Sequence, residues 1–83
     1  MKYTSATIGQ LVRGTRTNLG LTQEMLALAS GTGLRFIIDL EKGKPTCELE
    51  KVLTVLKALG IKMALLSPIV EVNQMLDDEA EAI

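Results

Sequence analysis

Apolar residues recur along most of the chain with the three-and-four spacing of helices, and a glycine follows each run. Ile8, Leu11, Val12 and Leu19 share one helical face, so the spacing predicts a first helix from about Thr4 to Asn18, stopped at Gly20. Thr22 has the form of an N-cap, with Leu21 before it and Leu26 at the fourth helical position as a hydrophobic staple. A second helix is therefore expected from Gln23, closed by Gly31, and a third beyond it, closed by Gly43. Pro45-Thr46 opens a fourth, whose Leu49, Val52, Leu53, Leu56 and Leu59 line one face up to Gly60.

The pattern then changes. Ile61, Met63 and Leu65 alternate over a short run that Pro68 closes, which predicts a strand. No second strand is evident in the sequence, and a lone strand leaves its backbone groups unpaired. Pairing with the same strand of a second copy across a two-fold axis removes that cost, so a homodimer is expected, with an extended fourth helix as the alternative.

Helices two and three form a unit hinged at a glycine. At about 100° per residue the third helix puts Gly33, Ile37 and Leu40 on one side and Arg35, Ile38, Asp39 and Lys42 on the other. Two short helices, the second with an outward polar and basic face, have the form of a helix-turn-helix, a unit that fits one helix into the DNA major groove. In that frame Arg35 is the candidate base reader, since a guanidinium forks onto O6 and N7 of guanine. Asp39, one turn on, can orient it; the plainer reading is an exposed i, i+4 pair with Arg35 on a phosphate. Leu34 and Ile38 are placed to meet thymine methyls, and Gly33 permits close backbone approach. Arg13, Gln23, Thr32, Lys42 and Lys44 are candidate phosphate contacts. Glu41 falls near the apolar side, a poor place for a carboxylate unless a cation meets it.

These residues carry a family resemblance. Arg16-Thr17-Asn18-Leu19-Gly20-Leu21-Thr22-Gln23, then Leu26-Ala27, Gly31, Ile37, Leu40-Glu41 and Gly43, resemble the Xre/Cro helix-turn-helix family. Phe36-Ile37-Ile38-Asp39-Leu40-Glu41-Lys42-Gly43-Lys44-Pro45-Thr46, with Leu49-Glu50-Lys51-Val52-Leu53 and Leu59-Gly60-Ile61, is similar to HipB-type antitoxins. The likeness runs over roughly residues 8 to 66. It implies a mainly α, lambda-repressor-like domain of four to five helices, with the C-terminal β-strand pairing across a homodimer. It also implies a structural ion pair between Arg16, ending helix one, and Glu41, closing helix three. The implied function is an antitoxin that represses its own operon at an inverted-repeat operator in double-stranded DNA and neutralises a HipA-like serine/threonine kinase toxin. A stand-alone Xre-family transcriptional repressor without a toxin is the alternative. Ile38 stands where the family usually has a small polar residue, and either meets DNA or packs against another chain.

Composition changes this picture in three places. With 83 residues, the chain is one domain, small enough that a partner chain helps it. The net charge of −1 conceals an asymmetry, because all nine Lys and Arg lie at or before Lys62. Residues 1–66 are expected to form the DNA-binding domain and dimer strand, and 67–83 an acidic, flexible tail carrying Glu71, Asp77, Asp78, Glu79 and Glu81. Ile69, Val70, Val72, Met75, Leu76 and Ile83 give that tail more apolar surface than solvation needs, which suits docking on a partner.

The rest is exclusion. A single cysteine, Cys47, placed in the first turn of helix four, leaves no internal disulfide, and without histidine a structural metal site is not expected. No Ser/His/Asp set or phosphate-binding loop is present, so neither catalysis nor a cofactor is expected. No apolar run long enough to span a membrane and no signal-peptide core appear, so a cytoplasmic location is expected.

Overall fold

Thr4 starts the first helix by accepting the Thr7 amide on its hydroxyl at 3.2 Å, in a computed structural model that describes residues 3–69. From it run α1 (Ser5–Asn18), α2 (Gln23–Ser30), α3 (Leu34–Glu41) and α4 (Leu49–Ala58). The Thr22 hydroxyl likewise takes the Met25 amide at 3.1 Å, which sets the start of α2 where the staple places it.

Each of these helices ends in the same way. Gly20, Gly31, Gly43 and Gly60 each have positive φ, and the residue after each glycine donates its amide back five positions: Leu21 to Arg16, Thr32 to Ala27, Lys44 to Asp39 and Ile61 to Leu56, at 2.9–3.1 Å. That is the Schellman arrangement, which satisfies carbonyls left over at a helix end. Gly60, at φ 74°, turns the chain out of α4 and so excludes the extended fourth helix.

The core gathers Val12 from α1, Leu26 and Ala27 from α2, Ile37 and Leu40 from α3, and Val52, Val55 and Leu56 from α4, with Leu59 just beyond it. Packing runs α1 on α3, α3 on α2 and α2 on α4, so α3 is held from two sides while its outer face stays open. The buried Ser30 hydroxyl donates to the Leu26 carbonyl at 2.8 Å, and no buried side-chain polar atom among the described residues lacks a partner.

Several expected positions move. Pro45 and Thr46 form a turn, and α4 begins only after Glu48, so Cys47 lies ahead of the helix, half-buried against the core, and not in its first turn. The inward face of α4 is Val52, Val55, Leu56 and Leu59, with Leu49 and Leu53 exposed at its flanks. On α1, Val12 is buried and Ile8 partly so, whereas Leu11 and Leu19 are more than half exposed. Arg16 takes the next inward position after Ile8 and Val12, four residues apart each time.

Among the described residues the chain after Gly60 is non-helical, and no strand ladder forms within it. Most of the expected tail, residues 70–83, lies outside the described residues, and so do Val70, Val72, Met75, Leu76 and Ile83.

Candidate nucleic-acid interface

Ile37 and Leu40 are buried, and this fixes the rotation of α3. Leu34 and Arg35 then face outward, the Arg35 side chain 77% exposed. Ile38 and Asp39 are half-buried at the edge of that face. Gly33 caps α3 at φ −90°, where any residue is allowed, and a Cβ added there meets nothing within 4 Å. Nothing among the described residues requires a glycine at this place.

Asp39 has one cation on each oxygen. Arg35 Nε lies 3.3 Å from Oδ1, and Lys44 Nζ lies 3.5 Å from Oδ2. The Gly43 turn makes the second contact possible, because it brings the Lys44 amide back onto the Asp39 carbonyl at 3.0 Å. The spacing from Arg35 to Asp39 is visible in a helical wheel; the return of Lys44 across a turn is not.

Behind this face sits a second cluster. Arg16 donates from Nε and Nη2 to the two Glu41 oxygens at 2.6 and 3.0 Å, and from Nη1 to the Leu21 carbonyl at 2.7 Å. The Glu41 side chain is only 4% exposed. Hydrogen bonding to Glu41 and its charge outweigh the opposing effect of burial and hold the Arg16 pKa above its ordinary value. Gln23 joins the cluster, its amide donating to Glu41 Oε1 at 3.2 Å. Its side chain therefore braces the start of α2 against the end of α3, a role that the sequence did not suggest.

A helix packed on its inner side, open on its outer side and joined to its predecessor by a glycine turn is the geometry of a helix-turn-helix. The helix-turn-helix family profile matches residues 12–66 of the chain. The chain belongs to that family. A relative named as an uncharacterized HTH-type transcriptional regulator, y4mF of Sinorhizobium fredii, is 52% identical over 65 residues, 78% of this chain and 86% of the relative. Among solved structures, HipB in a complex with an O4 20mer superposes with a TM-score of 0.72, at 22% identity over 82% of this chain and 96% of HipB. The restriction-modification controller protein C.AhdI of Aeromonas hydrophila matches at 0.63 with 34% identity, over 70% of this chain and 88% of the controller. The chain is thus an Xre-type helix-turn-helix regulator with the fold of HipB.

The remaining candidates sit apart from the two clusters. Arg13 and Lys42 are exposed and make no ion pair among the described residues, while Thr32 shares a 2.8 Å hydrogen bond with the Ser30 hydroxyl. Ile61, Met63 and Leu65 line an open apolar groove of about 550 Å³ together with Ile8 and Leu11 of α1 and Leu56 of α4. Among the described residues no helix is long and apolar enough to cross a membrane.

Proposed function

We propose that the chain binds an inverted-repeat operator as a homodimer, represses its own operon, and neutralises a HipA-like serine/threonine kinase toxin by binding it. The observation that carries the DNA half is the outward face of α3, where Arg35 projects from a helix whose opposite side is locked into the core. In a two-fold dimer such helices stand roughly 34 Å apart and enter successive major grooves on one side of a duplex. Leu34 and Ile38 then meet thymine methyls, and Gly33 lets the backbone approach closely. Arg13, Thr32, Lys42 and Lys44 contact phosphates, and the α2 N-terminus beside Gln23 offers its amides to another. The apolar groove between α1 and residues 61–65 supports dimerisation, with Ile61, Met63 and Leu65 as the paired run.

Binding of the chain to the DNA upstream of its own gene, measured at two salt concentrations, tests this. The wild type is expected to bind that duplex saturably with a steep salt dependence, and Arg35→Ala is expected to lose roughly 1–3 kcal/mol of discrimination over random DNA. Equal binding of both duplexes by the wild type would remove operator recognition from the function.

The toxin half is supported by the HipB-like fold, since HipB assembles with HipA in a solved HipA-HipB-O2-O3 complex. Deleting residues 68–83 is expected to leave DNA binding intact and to abolish rescue of cells from the kinase; undiminished rescue would move the toxin contact to the helical body. The stand-alone repressor is the second reading. The match to the C.AhdI controller at 34% identity favours it, and failure of the intact chain to bind any HipA-like kinase would establish it.

A further inference from the structure

Asp39 sits on the face offered to DNA, where a bare carboxylate would repel phosphate. It is not bare: Arg35 lies on one oxygen and Lys44 on the other, and the side chain is 17% exposed. We infer that Asp39 reads no base itself but positions Arg35 and Lys44, joining the base-reading face of α3 to the loop that contacts the backbone. The inference rests on the assignment of α3 as the DNA-reading helix.

Three features support it. Arg35 turns Nε toward Asp39, so the edge left outward is the Nη1 and Nη2 pair, the one that reaches O6 and N7 of guanine end-on. An aspartate that reads cytosine accepts from N4 with a free oxygen, and neither Asp39 oxygen is free of a cation. Lys44 is placed by the backbone: its amide bonds the Asp39 carbonyl at 3.0 Å across the Gly43 turn, so its ammonium lies beside Asp39 before any DNA arrives. Two ion pairs whose cations are largely exposed add little to stability, whereas holding a flexible guanidinium in one orientation removes an entropic cost from binding.

The test is a double-variant cycle on the full chain, with wild type, Arg35→Ala, Asp39→Asn and both together. Each is titrated against the duplex upstream of its own gene, the single base-pair substitutions of that duplex, and a random duplex. Asp39→Asn is expected to cut the specific-to-random affinity ratio about tenfold, at the same base pair at which Arg35→Ala loses discrimination. At that base pair the double variant should lose no more discrimination, between the native and the substituted duplex, than Arg35→Ala alone. Binding to random DNA should tighten several-fold in Asp39→Asn, because both cations are released to phosphates and a negative charge is gone; a merely structural aspartate would not lose discrimination at the base pair that Arg35 reads. Loss of discrimination at a different base pair, or additive losses in the double variant, overturns the inference and makes Asp39 a reader. A wild type that discriminates no duplex from random DNA overturns the reading of α3, and this inference with it.

Discussion

Arg16→Ala is expected to destabilise the domain by about 3 kcal/mol, because it strips the partner from a carboxylate that has almost no access to water. Glu41 would keep only the Gln23 amide, and the Leu21 carbonyl would lose the Arg16 donor. For a domain of this size the loss lowers Tm by roughly 12–24 °C. A chain of 83 residues has on the order of 4–12 kcal/mol in total, so the variant approaches the limit of folding. Arg16→Lys restores little, since a point charge cannot serve two carboxylate oxygens and a carbonyl together. Replacing both partners, Arg16→Met with Glu41→Leu, is expected to recover most of the loss, because no buried charge is then left alone. Thermal melting followed by circular dichroism reads all three, and an Arg16→Ala variant melting within a few degrees of wild type contradicts the argument. The guanidinium's pKa is raised, so its contribution is complete below the unfolded value and disappears only as pH rises through the folded one. Both lie far above neutral pH, the folded one higher than the ordinary arginine value, and the pair's arginine therefore adds no pH dependence near neutrality.

Much of this architecture was legible because it depends on short-range rules. Thr22 caps α2 and the glycines at 20, 31, 43 and 60 terminate the helices through local hydrogen bonds that need no knowledge of the rest of the chain. The start of α4 was not legible. Pro45 fits the first position of a helix, yet here it belongs to a turn, and α4 starts after Glu48 without a side-chain cap. The register of its buried face was also ambiguous, because Leu49, Val52, Leu53, Val55, Leu56 and Leu59 cover so broad an arc that periodicity leaves a choice of centre. On α1 the same ambiguity was settled by a charged residue: Arg16, on the stripe of Ile8 and Val12, marks the inward face better than Leu11 or Leu19.

The candidate site divides along the same line. Arg35 and Asp39 are one helical turn apart, and Glu41 betrayed its partnership by falling near the apolar side of the wheel. Lys44 on Asp39 and Gln23 on Glu41 depend on how a turn closes and how α2 meets α3, and no sequence period encodes either contact. These two contacts link the outer face of α3 to the elements around it, so the part of the site hardest to read from sequence is the part that orients the rest.

Gly9→Ala is expected to cost about 2 kcal/mol and lower Tm by roughly 8–16 °C, although alanine is the better helix former. A Cβ at position 9 would lie 2.4 Å from the Leu40 carbonyl oxygen and 2.9 Å from that of Glu41. Both are backbone atoms at the C-terminal end of α3, and they cannot swing aside as a long side chain can. Helices α1 and α3 must therefore move apart, at about 3 kcal/mol for overpacking a close crossing, offset by up to about 1 kcal/mol of helix propensity. Gly14→Ala on the same helix supplies the control, since a Cβ there meets nothing within 4 Å. Only the propensity gain remains, and Gly14→Ala is expected to raise Tm by about 2–8 °C. The two variants make the same chemical change in one helix, so opposite shifts isolate the crossing as the cause. The displaced carbonyls adjoin Glu41, and so Gly9→Ala should also weaken specific DNA binding at temperatures where the chain is still folded. A Gly9→Ala chain that gains stability as Gly14→Ala does would show slack between α1 and α3, and the orientation of α3 would then have to be set by α2 alone.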